Sequence, residues 1–259
     1  MSADVIEKIK GLNLAFTITS GRSGTKLLTR ILCDCLEVAA EHEPAPRTNY
    51  VMRSLLAAPS AAKGWLLTEK FPAMLASSRR NFYAETSHLV GKCLIDHILE
   101  LGIRPRLILL SRPASEVAAS LFAMNVIPGR TESGKLVLLS PDDETFLPIS
   151  DWLRLTDYQL CYWYALETER RQKHYKDRAD SIQMPTLSIQ LSDLSVPGCL
   201  RTLSEFLQSG NVDVDAEIKF QRIISENQNK KEDIVGSENL RALPGDWKDQ
   251  NEDLLSQIV

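Results

Sequence analysis

The stretch from Leu12 to Leu36 constrains the fold of this chain more than any other. It opens with a short, partly β-branched apolar run, Leu12 to Thr19. It then passes through Thr19-Ser-Gly-Arg-Ser-Gly-Thr-Lys-Leu-Leu28 and sets Leu27, Leu28, Ile31, Leu32 and Leu36 at helical spacing. A buried strand that turns through glycines into a helix is the unit from which parallel α/β sheets are built. In that unit the amides of the turn and the positive end of the helix converge on one place, which favours an anion. Gly21 and Gly24 let the backbone turn and approach the anion closely. Ser20 and Ser23 lie in the same loop, Arg22 adds a forked cation, and Thr25 adds a hydroxyl donor. Spacing alone equally allows an ordinary Gly/Ser turn with no ligand.

The rest of the chain extends the same alternation. Helical segments are expected near 50–58, 65–77, 90–102, 113–124, 152–176 and 198–208. Strands are expected at Phe82–Thr86, Arg106–Ser111 and Thr186–Leu191. Strands alternating with helices argue for a doubly wound α/β fold, a mainly parallel sheet flanked by helices, over a single domain spanning 1–259. The Pro-, Gly-, Ser- and Asp-rich segment 125–150 reads as a lid or substrate loop, and the tail after 209 as polar and irregular. The formal net charge of -4 argues against a chain that coats nucleic acid. Five cysteines without a C-x-x-C read as free thiols in a reducing compartment, and no His/Cys set has metal-ligand spacing. With no signal-peptide pattern and no membrane-length apolar run, the expectation is a cytoplasmic protein with no membrane partner.

The Gly-rich loop does not meet the nucleoside-triphosphate pattern G-x-x-x-x-G-K-[ST], because Gly24 is followed by Thr25 and then Lys26. The strand at 106–111 ends in Ser111-Arg112 rather than in an Asp that could hold Mg²⁺. The loop resembles the 5′-phosphosulfate loop of sulfotransferases, and RLILLSRPASEVAASLF resembles their second cofactor element. There a strand ends in an Arg, and a Ser eight residues later lies on the following helix, as Arg112 and Ser120 do here. The resemblance implies a P-loop-like fold and a donor, 3′-phosphoadenosine-5′-phosphosulfate (PAPS), yielding adenosine 3′,5′-bisphosphate without a metal. It implies that Arg112 and Ser120 grip the 3′-phosphate, and that Ser20, Gly21, Arg22, Ser23, Gly24 and Thr25 hold the phosphosulfate end. Lys26 departs from the family's Thr. It either adds charge to that site or turns away from it. Near the end, Asn227-Gln-Asn-Lys-Lys231 resembles the basic segment that covers the bisphosphate in some relatives, which makes Lys230 a further candidate.

Sulfuryl transfer needs a nucleophile freed of its proton and a cation for the charge on the leaving phosphate. Glu43 lies 21 residues after Arg22 in Ala40-Glu-His-Glu-Pro44, where tyrosylprotein-type members of the family carry their catalytic Glu. Glu43 is the first choice for general base and His42 the second, with Arg22 as the cation. Glu85 and His88, in Tyr83-Ala-Glu-Thr-Ser-His88, are candidates for orienting the acceptor. That acceptor is expected to be a small molecule or glycan. The competing expectations are a Mg-ATP-dependent small-molecule kinase and a non-catalytic nucleotide-binding relative.

Overall fold

The computed structural model describes residues 2–234 and 240–258, with all their side chains except those of 2, 227–234 and 257. The chain opens with α1 (Ser2–Lys10), β1 (Asn13–Ile18) and α2 (Thr25–Arg30), which continues as a π-helical turn over Ile31–Cys35. After the two-residue β2 (Ala40–Glu41) come α3 (Thr48–Ala57), α4 (Ser60–Trp65) and α5 (Phe71–Ser77). A second π turn, Leu66–Lys70, joins the last two. Next are β3 (Phe82–Glu85), α6 (Val90–Cys93), α7 (Ile95–Glu100), β4 (Arg106–Ser111), α8 (Ala114–Ala123) and α9 (Glu132–Val137). The long α10 (Asp157–Ser181) leads to β5 (Thr186–Gln190), then α11 (Cys199–Leu207), α12 (Val214–Ile234) and α13 (Trp247–Gln257).

The five strands form one all-parallel sheet in the order β2-β3-β1-β4-β5. Side chains alternate across it. Ala15, Ala84, Ile108, Leu110 and Ile189 meet Leu28, Ile31, Leu203 and Phe220 on one face. Leu14, Phe16, Ile18, Tyr83, Leu107 and Leu109 meet Ile9, Phe71, Ile95, Ile98 and Tyr175 on the other. Both faces being covered explains why the central strands β1 and β4 read as near-continuous apolar runs, while the edge strand β5 alternates. The chain leaves β1 toward β2 on one side and leaves β4 toward β5 on the other. The winding therefore reverses between the carboxyl ends of β1 and β4, where open α/β sheets take their ligands.

Three expectations are corrected. The tail after 209 is helical in its described parts. α12 delivers Ala216, Phe220, Ile223 and Ile224 to the core, each large apolar chain being worth about 1.5–3 kcal/mol when fully buried. Segment 125–150 contains α9 and is no free lid. Ile127, Leu138, Leu139 and Leu147 are buried in a third cluster with α8 and α10. The Arg53 guanidinium clamps Asp143 at 2.9 and 2.7 Å, and the buried Glu167 carboxylate accepts from the Phe146 and Leu147 amides at 2.8 Å each. The helices expected at 65–77 and 90–102 are broken, one by the π turn and the other by Leu94 between α6 and α7. Among the described residues no helix is long and apolar enough to cross a membrane.

Candidate active site

Backbone conformation and internal hydrogen bonds fix the loop after β1. Gly21, Arg22 and Gly24 have φ of 76, 54 and 91°. That region is open to glycine and costly for arginine. A Cβ at Gly21 would sit 3.2 Å from His88 Cγ, and one at Gly24 would sit 2.4 Å from Leu191 Cδ1. Neither position has room for a side chain without displacing a neighbour. The Ser20 and Ser23 hydroxyls lie 2.9 Å apart and reach the Gly21 carbonyl at 2.8 and 3.0 Å. From beneath, Tyr164 Oη donates to the Ser20 carbonyl at 2.8 Å. The Gln172 amide donates to the Ile18 carbonyl at 2.7 Å and the Leu110 carbonyl at 3.0 Å, bridging the ends of β1 and β4. Thr25 is buried at the start of α2, while Lys26 beside it is exposed. The Thr19 hydroxyl is buried without a hydrogen-bond partner, an unusual state for a polar group.

On the β4 side of the loop three predicted residues meet. Arg112 Nη1 donates to the Arg22 carbonyl at 3.0 Å, and its Nε donates to Glu116 at 2.8 Å. Arg22 Nε donates to Ser120 Oγ at 3.1 Å. Ser120 thus touches Arg22 and not Arg112. Burial first, and then the Arg112 charge, lower the Arg22 guanidinium from its ordinary value. Two guanidiniums face one carboxylate, so the crevice carries an excess of positive charge that an anion would complement.

On the β3 side sit the acid–base candidates. Glu43 has φ 48° immediately before Pro44, a strained conformation of the kind that clusters at functional sites. Its Oε1 is approached by His88 Nε2 at 3.3 Å and by His42 Nε2 at 3.9 Å. The bond to His88 holds the Glu43 carboxyl down at about 2. Burial, and then the charge of Lys92, push His88 down to about 4. At neutral pH this is a carboxylate beside a neutral imidazole. His42 is anchored through its Nδ1, 3.2 Å from the Thr86 carbonyl. Ser87 Oγ accepts from the Leu89 amide at 3.0 Å, and Thr17 Oγ1 donates to the Ser87 carbonyl at 3.0 Å, fixing the turn that carries His88 against Gly21.

Glu85 does not join them. Tyr83 and Glu85 point to the α5 face of the sheet, where Glu85 is 1% exposed and pairs with the equally buried Lys70 at 2.8 Å. It orients no acceptor. Lys230 lies in α12, with its side chain outside the described residues. The sequence reading missed Tyr164 and Gln172, which support the loop, and Lys92, 2.7 Å from His88 Nδ1. His88 precedes α6, so no helical spacing announced the last of these. No family model and no curated protein matches the chain.

Proposed function

We propose that this chain is a sulfotransferase that takes a sulfuryl group from PAPS to a hydroxyl or amine of a small-molecule or glycan acceptor. One observation carries the reading: the cationic crevice and the carboxylate–imidazole pair flank the same loop. Gly21 packs on His88 while Arg22, the next residue, contacts Ser120 and Arg112. Group transfer from an anionic donor needs that juxtaposition, a seat for anionic charge beside a group that takes a proton. When bound, the donor supplies the activated sulfuryl group. Arg22 and the loop amides would hold its 5′ end, and Arg112 and Ser120 its 3′-phosphate. The buried, unpartnered Thr19 hydroxyl at the head of the loop fits an arrangement in need of one more polar partner.

Glu43 then serves as base. Its carboxylate is ionised throughout the neutral range and half-buried beside the loop, where it would accept the acceptor's proton. Arg22 neutralises charge growing on the leaving phosphate. Arg112 buttresses Arg22 through the Arg22 carbonyl.

The first test is thermal unfolding with adenosine 3′,5′-bisphosphate in EDTA. Saturation at about 100 times Kd stabilises by about 2.7 kcal/mol, which a chain of this size shows as a rise of several degrees. No rise with the bisphosphate, together with a rise on Mg-ATP, would favour a kinase and end the proposal. Glu43→Gln is expected to keep that rise while PAPS turnover falls about 10²–10⁴-fold.

A further inference from the structure

Lys92 is an unusual residue for a helix that covers a sheet. Its side chain is buried, with two polar partners and an aromatic ring around the amine. It donates to the carbonyl of Val137 at the end of α9, it lies 2.7 Å from His88 Nδ1, and it sits 5.1 Å from the centre of the Tyr164 ring. Burying a lysine costs several kcal/mol unless specific partners hold it. The partners explain the residue. An N–H given by the amine to His88 Nδ1 would place the ring proton on Nε2. That nitrogen faces Glu43 Oε1 at 3.3 Å.

We infer that Lys92 is a positioning residue for the acid–base pair: through Nδ1 it fixes His88 as the Nε2–H tautomer, and His88 thereby orients the Glu43 carboxylate. The catalytic part of this rests on the transfer reading above; the tautomer does not. Lys92 also ties the base to segment 125–150, because its second partner is a carbonyl of that segment.

The groups around the pair come from several elements. Glu43 and His42 stand on the segment after β2, Arg53 on α3, Arg171 and Tyr164 on α10, and Cys93 beside Lys92 on α6. Glu43 is the one carboxylate in this set, and its negative charge favours a cationic ring. Burial and the cations oppose that charge. The imidazole accordingly stays neutral and acts as a donor without adding a charge of its own.

The decisive experiment is a long-range ¹H–¹⁵N correlation spectrum of the histidine rings in the ligand-free protein between pH 5 and 8. The His88 signals are identified by their loss in His88→Gln. The wild-type protein is expected to show His88 as the Nε2–H form throughout. Lys92→Gln, whose amide still donates, keeps that form. Lys92→Met converts it to the Nδ1–H form or a mixture, and PAPS hydrolysis, with water as acceptor, falls about 10²-fold while adenosine 3′,5′-bisphosphate affinity is unchanged. A wild-type His88 that is Nδ1–H or imidazolium at pH 7 overturns the inference, and so does a folded Lys92→Met protein with an unaltered ring signature. The wild-type spectrum decides alone if Lys92→Met does not fold. A wild-type chain that binds the bisphosphate but never consumes PAPS refutes the transfer reading instead, and the ring spectra still give the tautomer.

Discussion

The neutrality of His88 has a consequence that needs no substrate. An unfolded chain takes a proton on this histidine near pH 6.5, whereas the folded protein resists until about 4. Between those values the unfolded state binds more protons than the native one, so stability rises with pH across the window. The contribution is complete above pH 6.5 and is lost as pH falls toward 4. A difference of this size corresponds to about 3 kcal/mol in total and about 2 kcal/mol by pH 5. For a chain this long, 2 kcal/mol is a fall of about 4–8 °C in Tm. Glu43, also depressed, adds a slope of the same sign, but only below its ordinary range. Lys92, lowered by burial, contributes in the same direction at higher pH. The contrast that isolates His88 is the wild type against His88→Gln, whose amide can donate to Glu43 and accept from Lys92 but cannot titrate. Urea unfolding followed by tryptophan fluorescence at pH 7.5, 6.5, 5.5 and 5.0 gives both curves. The wild type should lose about 2 kcal/mol more than the variant by pH 5. Parallel curves would refute the claim that His88 is held neutral.

Other perturbations probe separate parts of the site and scaffold. Arg112→Ala removes the guanidinium that braces Arg22 and should weaken adenosine 3′,5′-bisphosphate binding by about 10–100-fold, the worth of one or two charged hydrogen bonds, as read by calorimetric titration. Gly134→Ala would put a Cβ 1.9 Å from the Ile127 carbonyl oxygen. It should cost about 3 kcal/mol or more in urea unfolding, since rigid backbone has to move. Gly64→Ala is the counterpart: it is exposed in α4 with nothing within 4 Å of the new Cβ, and it should stabilise by about 0.5–1 kcal/mol.

The parts of the fold legible in the sequence are those that local patterning dictates. β1 and β4 are short apolar runs bounded by Gly or Pro, β5 alternates behind Pro185, and the loop between β1 and α2 carries glycines at two of its three positive-φ positions. Arg112 and Ser120 come to the loop because one ends a strand next to β1 and the other lies on the helix that follows it. What stayed hidden was non-local or too brief. β2 has two residues and exists only as a partner of β3. In the polar tail, Ala216, Phe220, Ile223 and Ile224 do recur at i, i+4, i+7 and i+8, but one narrow stripe among charged residues reads as solvent-facing until there is a sheet for it to cover. Lys92 reads as a surface lysine for the same reason.

Glu43 and Glu85 show how little a residue type says about its role. Both follow or end a strand at the carboxyl edge of the sheet, and both belong to clusters of polar residues. The pleat separates them. Glu85 shares the parity of Tyr83 and is turned under the sheet, where burial raises its carboxyl and the Lys70 ammonium opposes that rise. Glu43 lies past the last residue of β2, on backbone held at positive φ, and meets an imidazole at the loop instead of a buried ammonium. The first carboxylate is committed to an ion pair, and removing either partner of a buried pair costs about 3–5 kcal/mol. The second stands beside a neutral imidazole at the loop. Lysine repeats the pattern: Lys70 neutralises a carboxylate directly, while Lys92 reaches one only through His88. A neutral imidazole holds the Glu43 carboxylate without placing a positive charge in contact with it, whereas a lysine in direct contact would add one.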